Sequence, residues 1–448
     1  MPTAPVRVAI NGFGRIGRNA FKVAIEEHPQ EIEVVAINDL TEPKVLAHLL
    51  EYDTAYGHWD RQVSWDERNI IVDGKRYPVY AIKDPSALPW RDLNVDVVIE
   101  STGRFTDSEG MKKHLQAGAK RVVLSAPAKG AGIGTFLIGV NDDRYNGEEM
   151  INNASCTTNS IAPVAAIIEE KFGIQKAIMT TVHSVTAEQN LVDGPPPGGK
   201  ANDLRRARAA YQNIIPTSTG AAIATTEAIP SLKGLFDGRA LRVPTVTGSI
   251  SDFTFLLKRK TTVEEVNLAI KESCSSPRWS GIVAWTEAPL VSSDIIGRSE
   301  SAIVDLGLTQ LVDGDLLKVF AWYDNEWGYS NRLIELVVNV GKKINSGFNL
   351  AQVPPVPQQV PSPASPAVGI PTAAPQPLPP GQSPPQVNPV TQSTVQPAPA
   401  AASPNAAVAQ PTPVPPASVA TPAPQPAQTE EASASSAPRN NPFSNWFK

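Results

Sequence analysis

In the first third of the chain, short apolar runs alternate with polar turns and with helix-compatible stretches. Val6–Ile10 and Glu33–Ile37 are β-branched runs that predict strands, and Arg18–Glu27 between them predicts a helix. Two further runs, Val95–Glu100 and Lys120–Leu124, are followed by small polar residues. This alternation predicts an α/β fold with a doubly wound parallel sheet, which binds its ligand at the carboxyl ends of its strands.

Beyond residue 155 the periodicity of apolar residues changes. Ala177–His183, Ala240–Thr245 and Ser249–Leu257 are longer runs in which apolar and polar residues alternate. Alternation of this kind is typical of strands that are covered on one face. We therefore expect a second, α+β domain with a mixed or antiparallel sheet and a domain boundary near Ser155. The pattern of Tyr329–Val340 predicts a closing helix.

The last hundred residues differ sharply in composition from the rest of the chain. More than half of the 43 prolines lie after residue 350, and the segment holds two acidic residues and no basic residue before Arg439. Such a segment cannot bury enough apolar surface to fold. We expect a folded part of about residues 1–347 and a disordered tail at 350–448. The tail is either an inert solubilising segment or a tether that ends in a recognition peptide. The tether is suggested by residues 439–448, which hold the aromatic side chains of the tail, since such side chains are favoured anchors in binding pockets.

The remaining composition narrows the expected ligands and compartment. The formal net charge is −5 and no long basic run occurs, so nucleic acid is not expected as the main ligand. No apolar run is long enough to cross a membrane, and the N-terminus lacks the apolar core of a signal peptide. The two cysteines suit a reducing compartment, so we expect a cytoplasmic protein without a metal site. The densest basic patch, Arg205–Arg208, suits a phosphate group, although a solvated helix face is the ordinary alternative.

A glycine-rich turn connects the first predicted strand to the first predicted helix. Its glycines are Gly12, Gly14 and Gly17, and an acid, Asp39, follows the next strand. A strand, this glycine spacing, a helix, a second strand and an acid together form the dinucleotide-binding fingerprint of the Rossmann fold. The first glycine permits a tight turn, the second lets a pyrophosphate approach the backbone, and the third lets helix and strand pack closely. The alternative is a glycine turn in some other α/β unit.

A candidate nucleophile lies at the predicted domain boundary. Cys156 precedes an apolar, helix-compatible run, and the positive end of a helix dipole favours a thiolate. A small buried residue is the alternative, since free cysteine is often buried. His183, near the end of a predicted strand, is the one histidine of the second predicted domain, and it is either a base for the thiol or an ordinary strand histidine. A thiol beside a dinucleotide site suggests oxidation of an aldehyde through a covalent thioester.

Ten motifs occur in the order in which they occur in one known family, and they span about residues 3–345. The chain resembles the phosphorylating glyceraldehyde-3-phosphate dehydrogenases. The motifs are Asn11–Arg18, Leu49–Thr54, Ser101–Phe105, Leu124–Lys129, Ala154–Asn159, Thr181–Ser184, Asp203–Arg208, Asn213–Gly220, Leu241–Thr245 and Trp322–Ser330.

The resemblance implies a role for each motif. It implies that Cys156 is the nucleophile and His183 its base. It implies NAD contacts, some through the glycine turn, from Asn11, Gly12, Phe13, Gly14, Arg15, Ile16, Gly17, Asp39, Lys83, Thr102, Ser125 and Asn325. It implies that the attacking inorganic phosphate is held by Ser155, Thr157, Arg206, Thr219 and Gly220, and the C3 phosphate of the substrate by Thr186 and Arg242.

The resemblance also implies a domain organisation and leaves some alternatives open. It implies an NAD-binding Rossmann domain at 1–155, to which a helix at 327–345 returns, a catalytic domain at 156–326, and a homotetramer. Asp39 favours NAD over NADP, because its carboxylate would repel a 2′-phosphate. Erythrose-4-phosphate dehydrogenase is a close alternative activity, and a scaffold or surface-binding role carried by the tail is an alternative of another class.

Overall fold

The computed structural model describes residues 4–196 and 203–346. The strands, in chain order, are β1 (Val6–Asn11), β2 (Ile32–Asn38), β3 (Tyr52–Asp53), β4 (Gly57–His58), β5 (Val63–Trp65), β6 (Asn69–Val72), β7 (Lys75–Tyr80), β8 (Val97–Glu100), β9 (Arg121–Leu124), β10 (Gly134–Thr135), β11 (Met150–Asn152), β12 (Ile174–Ser184), β13 (Ile215–Ser218), β14 (Phe236–Val243), β15 (Ser249–Leu257), β16 (Val283–Thr286), β17 (Ala302–Asp305), β18 (Gln310–Val312) and β19 (Leu316–Tyr323). The α-helices are α1 (Arg15–Glu26), α2 (Pro43–Glu51), α3 (Ser108–Gln116), α4 (Cys156–Phe172), α5 (Ala221–Ala228), α6 (Val263–Cys274) and α7 (Trp327–Asn345).

A nine-stranded sheet forms the first half of the described chain, in the order β10-β11-β9-β8-β1-β2-β7-β6-β5. The six pairings from β10 to β7 are parallel, and β6 and β5 extend the sheet in antiparallel fashion. The central strands β1 and β8 are buried on almost every residue, as expected for parallel strands covered on both faces. Their carboxyl ends, at Asn11 and Glu100, therefore lie side by side.

A mixed sheet of eight strands forms the second half of the described chain. Its order is β13-β14-β12-β15-β19-β17-β16, with β18 paired to β19. The pairs β12–β14 and β16–β17 are parallel, and the other pairs are antiparallel. Strand β15 alternates buried and half-buried residues along its whole length, which is the pattern of a sheet packed on one face. Helix α4 supplies that cover, since eight of its 17 residues belong to the core of this sheet.

The closing helix α7 packs on the first sheet although it follows the second in sequence. Its apolar side chains, including Leu333 and Val337, share a core with Val8 and Phe21. The methyl groups of Val6 lie against Gly341, where a built Cβ would come within 2.0 Å of a Val6 carbon. Close approach of this kind requires glycine at that position. The last helix of the described chain is thus part of the first core.

The predicted fold class is confirmed: a Rossmann-type parallel sheet is joined to an α+β unit with a mixed sheet. Two features differ from the expectation. Helix α1 begins at Arg15, three residues earlier than predicted, because the last part of the glycine turn is already helical. The antiparallel strands β5 and β6 were not predicted, because runs of three and four residues carry too little periodicity to recognise.

Three further expectations concern the tail, membrane-spanning helices and metal sites. The predicted tail at 350–448, with its aromatic end at 439–448, lies outside the described residues. Over 4–196 and 203–346, no helix is long and apolar enough to span a membrane. The same residues contain no cluster of three or more histidine, cysteine or acidic side chains placed to hold a metal ion.

Candidate active site

A cavity of about 730 Å³ opens where β1, β2 and β8 end. Six of the predicted dinucleotide contacts line it, namely Asn11, Gly12, Gly14, Asp39, Lys83 and Thr102. Its lining residues are Asn11, Gly12, Gly14, Asn38, Asp39, Leu40, Ile82, Lys83, Asp84, Ser101, Thr102, Arg104, Phe105 and Lys113. The position matches the rule that doubly wound sheets bind ligands outside the carboxyl ends of their strands.

The three glycines of the turn meet three different steric demands. Gly12 has φ of 95°, and a built Cβ would lie 2.7 Å from the backbone nitrogen of Thr102. At Gly17 a built Cβ would lie 2.1 Å from the carbonyl oxygen of Gly12. At Gly14, by contrast, nothing lies within 4 Å of a built Cβ, so the backbone is open to the cavity. These residues fit a dinucleotide, because its pyrophosphate needs an uncovered backbone at a helix N-terminus.

Asp39 is held rigidly at the rim of this cavity. Its two carboxylate oxygens accept hydrogen bonds from the backbone nitrogens of Phe13, at 2.8 Å, and Thr41, at 2.9 Å. The carboxylate thus links the glycine turn to the end of β2. Phe13 itself is buried in the first core and contributes backbone, not its ring, to the turn.

Arg15 is predicted to contact NAD, but its side chain is engaged in ion pairs within the protein. Its guanidinium donates to both oxygens of Glu326 and, at 2.6 Å, to Asp53. Two carboxylates therefore occupy the side chain and tie the start of α1 to the segment before α7. A dinucleotide contact by Arg15 or by the next residue, Ile16, would therefore use the backbone at the N-terminus of α1.

Cys156 is the first residue of α4, at the junction of the two cores. Ser155 caps the helix, since its hydroxyl accepts a hydrogen bond from the backbone nitrogen of Thr158 at 3.1 Å. The cysteine side chain packs against the first core, while the helix that carries it packs in the second. Its Sγ lies 3.3 Å from Nε2 of His183, on β12. The structure thus brings together two residues that are 27 positions apart in sequence.

The hydrogen bonds of His183 fix where its protons can be. Nδ1 lies 2.7 Å from the carbonyl oxygen of Ser184, and a carbonyl can only accept, so Nδ1 carries a hydrogen. Nε2 is then the atom that exchanges a proton with the sulfur. The ring is 3% exposed and is also packed edge-on against Tyr323. The thiol and the imidazole therefore share one proton along the line from Sγ to Nε2.

The electrostatic surroundings of the pair favour neutral groups in the free protein. Burial raises the pKa of the Cys156 thiol, and the positive charge of Arg242 opposes that shift. Burial, followed by repulsion from Arg242, lowers the pKa of His183 to about 3. The sequence-based expectation that the helix N-terminus by itself favours the thiolate is therefore outweighed by burial.

Two arginines from separate segments converge beside the pair. Arg242 is the register partner of His183 on β14 and donates through Nη1 to the carbonyl of Ser184, at 3.1 Å, and to Oγ1 of Thr186, at 3.2 Å. Arg206 donates to Oγ1 of Thr217 at 2.9 Å. Guanidinium groups placed with hydroxyls form a cradle suited to phosphate.

A carboxylate bridges the two arginines in the free protein. Oε1 of Glu188 lies 2.5 Å from Nη1 of Arg206 and 3.6 Å from Nη2 of Arg242. The exposed glutamate therefore occupies the space between the two cations that an anion would take. Sequence reasoning missed Glu188, because an acid in a loop rich in polar residues carries no signal of its own.

The other predicted phosphate residues lie at helix starts near this cradle or in supporting positions. Thr157 is buried, and its hydroxyl lies 3.1 Å from that of Tyr323, which in turn lies 2.7 Å from the hydroxyl of Thr181. Thr219 and Gly220 precede α5, and the hydroxyl of Thr219 accepts from the backbone of Ala221.

Ser125 and Asn325 flank the site without lining the cavity. Ser125 follows β9 and donates its backbone hydrogen to the carbonyl of Glu100. Asn325 is buried, and its Oδ1 accepts from the backbone of Gly248 at 3.1 Å and from the hydroxyl of Ser249 at 2.9 Å. Its amide nitrogen is the group left to donate to a ligand.

A dinucleotide cradle, a half-buried thiol in contact with a buried imidazole, and an arginine cradle together fit the class of oxidoreductases that use a nicotinamide dinucleotide. The comparisons with known proteins identify the family. Profiles for the NAD-binding domain of glyceraldehyde 3-phosphate dehydrogenase and for its C-terminal domain match residues 6–108 and 155–325, respectively. The chain belongs to the glyceraldehyde-3-phosphate dehydrogenase family.

Curated relatives from several bacteria agree with this assignment. Proteins named glyceraldehyde-3-phosphate dehydrogenase from Mycobacterium tuberculosis, Streptomyces coelicolor and Geobacillus stearothermophilus are 50%, 49% and 49% identical to the chain. The similarity covers 76%, 76% and 75% of this chain, respectively, and 99% of each relative. The alternative of an erythrose-4-phosphate dehydrogenase is not favoured by these names.

Proposed function

We propose that this protein catalyses the phosphorylating oxidation of D-glyceraldehyde 3-phosphate, with NAD as the hydride acceptor. The observation that carries the proposal is the 3.3 Å contact between Sγ of Cys156 and Nε2 of His183, beside the guanidinium of Arg242. A nucleophile with its base, next to a seat for a phosphate dianion, suits an aldehyde that bears a phosphate.

The chemistry starts with addition of the Cys156 sulfur to the aldehyde carbon. The shared proton passes from sulfur through Nε2 of His183 to the carbonyl oxygen, which becomes the hydroxyl of a thiohemiacetal, and His183 is neutral again. His183 then takes the hydroxyl proton while the carbon loses a hydride and becomes the carbonyl of a thioester. The bound nicotinamide supplies the acceptor for that hydride.

The second half-reaction releases the product from sulfur. An oxygen of inorganic phosphate attacks the thioester carbon, the carbon–sulfur bond breaks, and the acyl phosphate 1,3-bisphosphoglycerate leaves. The sulfur recovers its electron pair and the cycle can repeat. We assign the attacking phosphate to Arg206 with the hydroxyls of Ser155, Thr157 and Thr219, and the C3 phosphate to Arg242 with Thr186.

Binding of the substrate phosphate also changes the charge around the base. Burial and, after it, repulsion from Arg242 lower the pKa of His183 in the free protein. A phosphate dianion on Arg242 offsets that charge and makes proton transfer to Nε2 easier. Binding of the substrate phosphate to Arg242 and activation of His183 as a base are thereby coupled. An aldehyde without a phosphate therefore loses this activation as well as the binding contacts.

We further propose NAD as the preferred cofactor over NADP. Both oxygens of Asp39 are held by backbone nitrogens, so the carboxylate cannot rotate away from an adenosine ribose. It would accept hydrogen bonds from ribose hydroxyls and repel a 2′-phosphate.

We also propose that the protein is a cytoplasmic homotetramer, as the family resemblance implies. Large apolar side chains on the loop after β12 and near β13 support self-association, since Leu191, Val192 and Ile214 are exposed in the single chain. Sedimentation analysis tests the tetramer, and a monomer at micromolar concentration would contradict it.

A spectrophotometric assay tests the proposed reaction. The full chain should reduce NAD in the presence of glyceraldehyde 3-phosphate and phosphate or arsenate, faster than with NADP and faster than with erythrose 4-phosphate. The Cys156→Ser variant should fold and bind cofactor but lose this activity. Reduction that does not require phosphate or arsenate would overturn the phosphorylating assignment.

A further inference from the structure

We propose that a buried chain of three side chains, Trp90, His114 and Glu100, positions the cofactor-binding edge of the first sheet. None of the three lines the cavity, and all are fully buried behind it. Glu100 is the last residue of β8, His114 lies on α3, and Trp90 lies in the loop before β8. We call these residues the support chain and regard them as positioning residues.

The carboxylate of Glu100 is the end of the support chain that contacts the cavity lining. Its Oε2 accepts from Nδ2 of Asn11 at 2.5 Å and from Nε2 of His114 at 3.0 Å. Its Oε1 accepts from the backbone nitrogen of Thr102 at 2.8 Å and from the hydroxyl of the same residue. Each donor matches a carboxylate oxygen, which can only accept when ionised.

The tautomer of His114 decides whether this arrangement holds. The indole nitrogen of Trp90 lies 3.1 Å from Nδ1 of His114, and an indole N–H can only donate. Nδ1 must therefore accept, so the hydrogen of the neutral ring sits on Nε2 and points to Glu100. Trp90 thus selects the tautomer in which His114 is a donor to the carboxylate.

Glu100 connects the support chain by hydrogen bonds to residues that line the cavity. Oδ1 of Asn11 accepts from Nδ2 of Asn38 at 2.7 Å. Asn38 in turn exchanges hydrogen bonds with the backbone of Ile82, in both directions at 3.0 Å. Asn11, Asn38, Ile82 and Thr102 all belong to the cavity lining. One network of buried and half-buried groups therefore ties together the ends of β1, β2 and β8 beside the cavity.

One residue of the cavity lining also packs directly against the support chain. The ring of Phe105, another lining residue, packs edge-on against the imidazole of His114 with centroids 6.3 Å apart. If the indole donor is removed, Nδ1 loses its partner and the other tautomer becomes available. That tautomer would set the lone pair of Nε2 against a carboxylate oxygen, and both Asn11 and Thr102 would lose a fixed partner.

The experiment uses Trp90→Phe in the full chain, with Trp279→Phe as control. Phenylalanine keeps an aromatic ring but has no donor. Trp279 is a buried tryptophan of the second core, so its variant reports the general cost of the same truncation. Dissociation constants for NAD and NADH are measured by calorimetric titration, and the nitrogen signals of His114 report its tautomer by NMR.

We expect the dissociation constants to rise about fivefold to tenfold in Trp90→Phe, which corresponds to one lost buried hydrogen bond. The His114 signals should shift away from the Nε2–H tautomer, and Trp279→Phe should bind as wild type. Unchanged binding in Trp90→Phe, or an equal loss in Trp279→Phe, would overturn the proposal.

A second pair of variants separates hydrogen bonding from packing. In His114→Gln the amide can still accept from Trp90 and donate to Glu100, whereas His114→Leu can do neither. We expect the glutamine variant to retain cofactor affinity close to that of wild type and the leucine variant to lose it about tenfold or more. Equal affinities in the two variants would show that the support chain acts only by filling space, and the proposal would fail.

Discussion

Replacing Arg242 with glutamine tests the phosphate seat most directly. The guanidinium is 12% exposed and holds Ser184 and Thr186 through a single nitrogen, Nη1. Its Nε is buried and has no hydrogen-bond partner among the described residues. The side chain therefore has unused donors at a position where burial makes an unpaired donor costly. A glutamine of shorter reach removes the charge and the planar fork together.

The expected loss follows from the donors that the variant lacks. A hydrogen bond to a charged group contributes about 1.5–3 kcal/mol, and a two-point contact with phosphate uses two of them. Part of this is offset, because the glutamine amide keeps one donor and the wild-type desolvation cost is removed. A net loss of about 3 kcal/mol corresponds to a fall in kcat/KM on the order of 100-fold. Arg242→Lys keeps the charge but not the fork, and should lose about tenfold.

The assay compares glyceraldehyde 3-phosphate with glyceraldehyde, which lacks the phosphate. Arg242→Gln should lower kcat/KM for the phosphorylated aldehyde far more than for the other, so the ratio of the two falls on the order of 100-fold. Arg239→Gln is the matched control, because Arg239 lies on the same strand with a side chain 69% exposed. If both aldehydes lose the same factor in Arg242→Gln, the residue holds the fold or the thiol and not the phosphate.

Three further predictions concern the base, the glycine turn and the cofactor. His183→Gln should lower kcat about 10²–10⁴-fold with little change in cofactor affinity, measured by steady-state kinetics and titration, and an active variant would exclude a base role. Gly17→Ala should lower the free energy of unfolding by about 1–3 kcal/mol in denaturant, because the new Cβ would meet the Gly12 carbonyl. Gly14→Ala should unfold like wild type, because nothing lies near its built Cβ, but it should bind cofactor weakly. Asp39→Ser should raise kcat/KM for NADP at least about tenfold, since the repelling charge is gone, and an unchanged NAD-to-NADP ratio would count against its role.

Without the family resemblance, sequence reasoning recognised mainly residues whose spacing is local. The glycine turn and the acid after β2 lie within one βαβ unit, and the thiol stands at the start of its own helix, so short windows reveal them. Sequence could not show what the guanidinium of Arg15 does, because its partner Glu326 is 311 positions away. The link from the support chain to the cavity lining was invisible for the same reason: Asn11 and Glu100 are 89 positions apart and meet only in the folded sheet.

At the Cys156 thiol, burial acts against the helix N-terminus, and the cause is physical. A helix N-terminus favours a thiolate where solvent or a cation can share the charge. Here α4 enters between two cores, and burial raises the pKa of Cys156 despite Arg242 nearby. Sequence shows that a cysteine starts a helix, but it does not show how much water that helix end retains.

The position of the sulfur depends on the last helix, although that helix carries none of the chemistry. Ala154, two residues before Cys156, adopts φ of 50°, which costs an alanine roughly 1 kcal/mol and must be enforced by its surroundings. Two contacts enforce it: the backbone nitrogen of Ala154 donates to Oδ1 of Asn152, and its carbonyl accepts from the hydroxyl of Tyr329 on α7. Because α7 packs in the first core, its return fixes the turn that aims α4. Cys156, the proposed nucleophile, is thus positioned by both domains, and loss of the Tyr329 hydroxyl should loosen it without touching any reacting group.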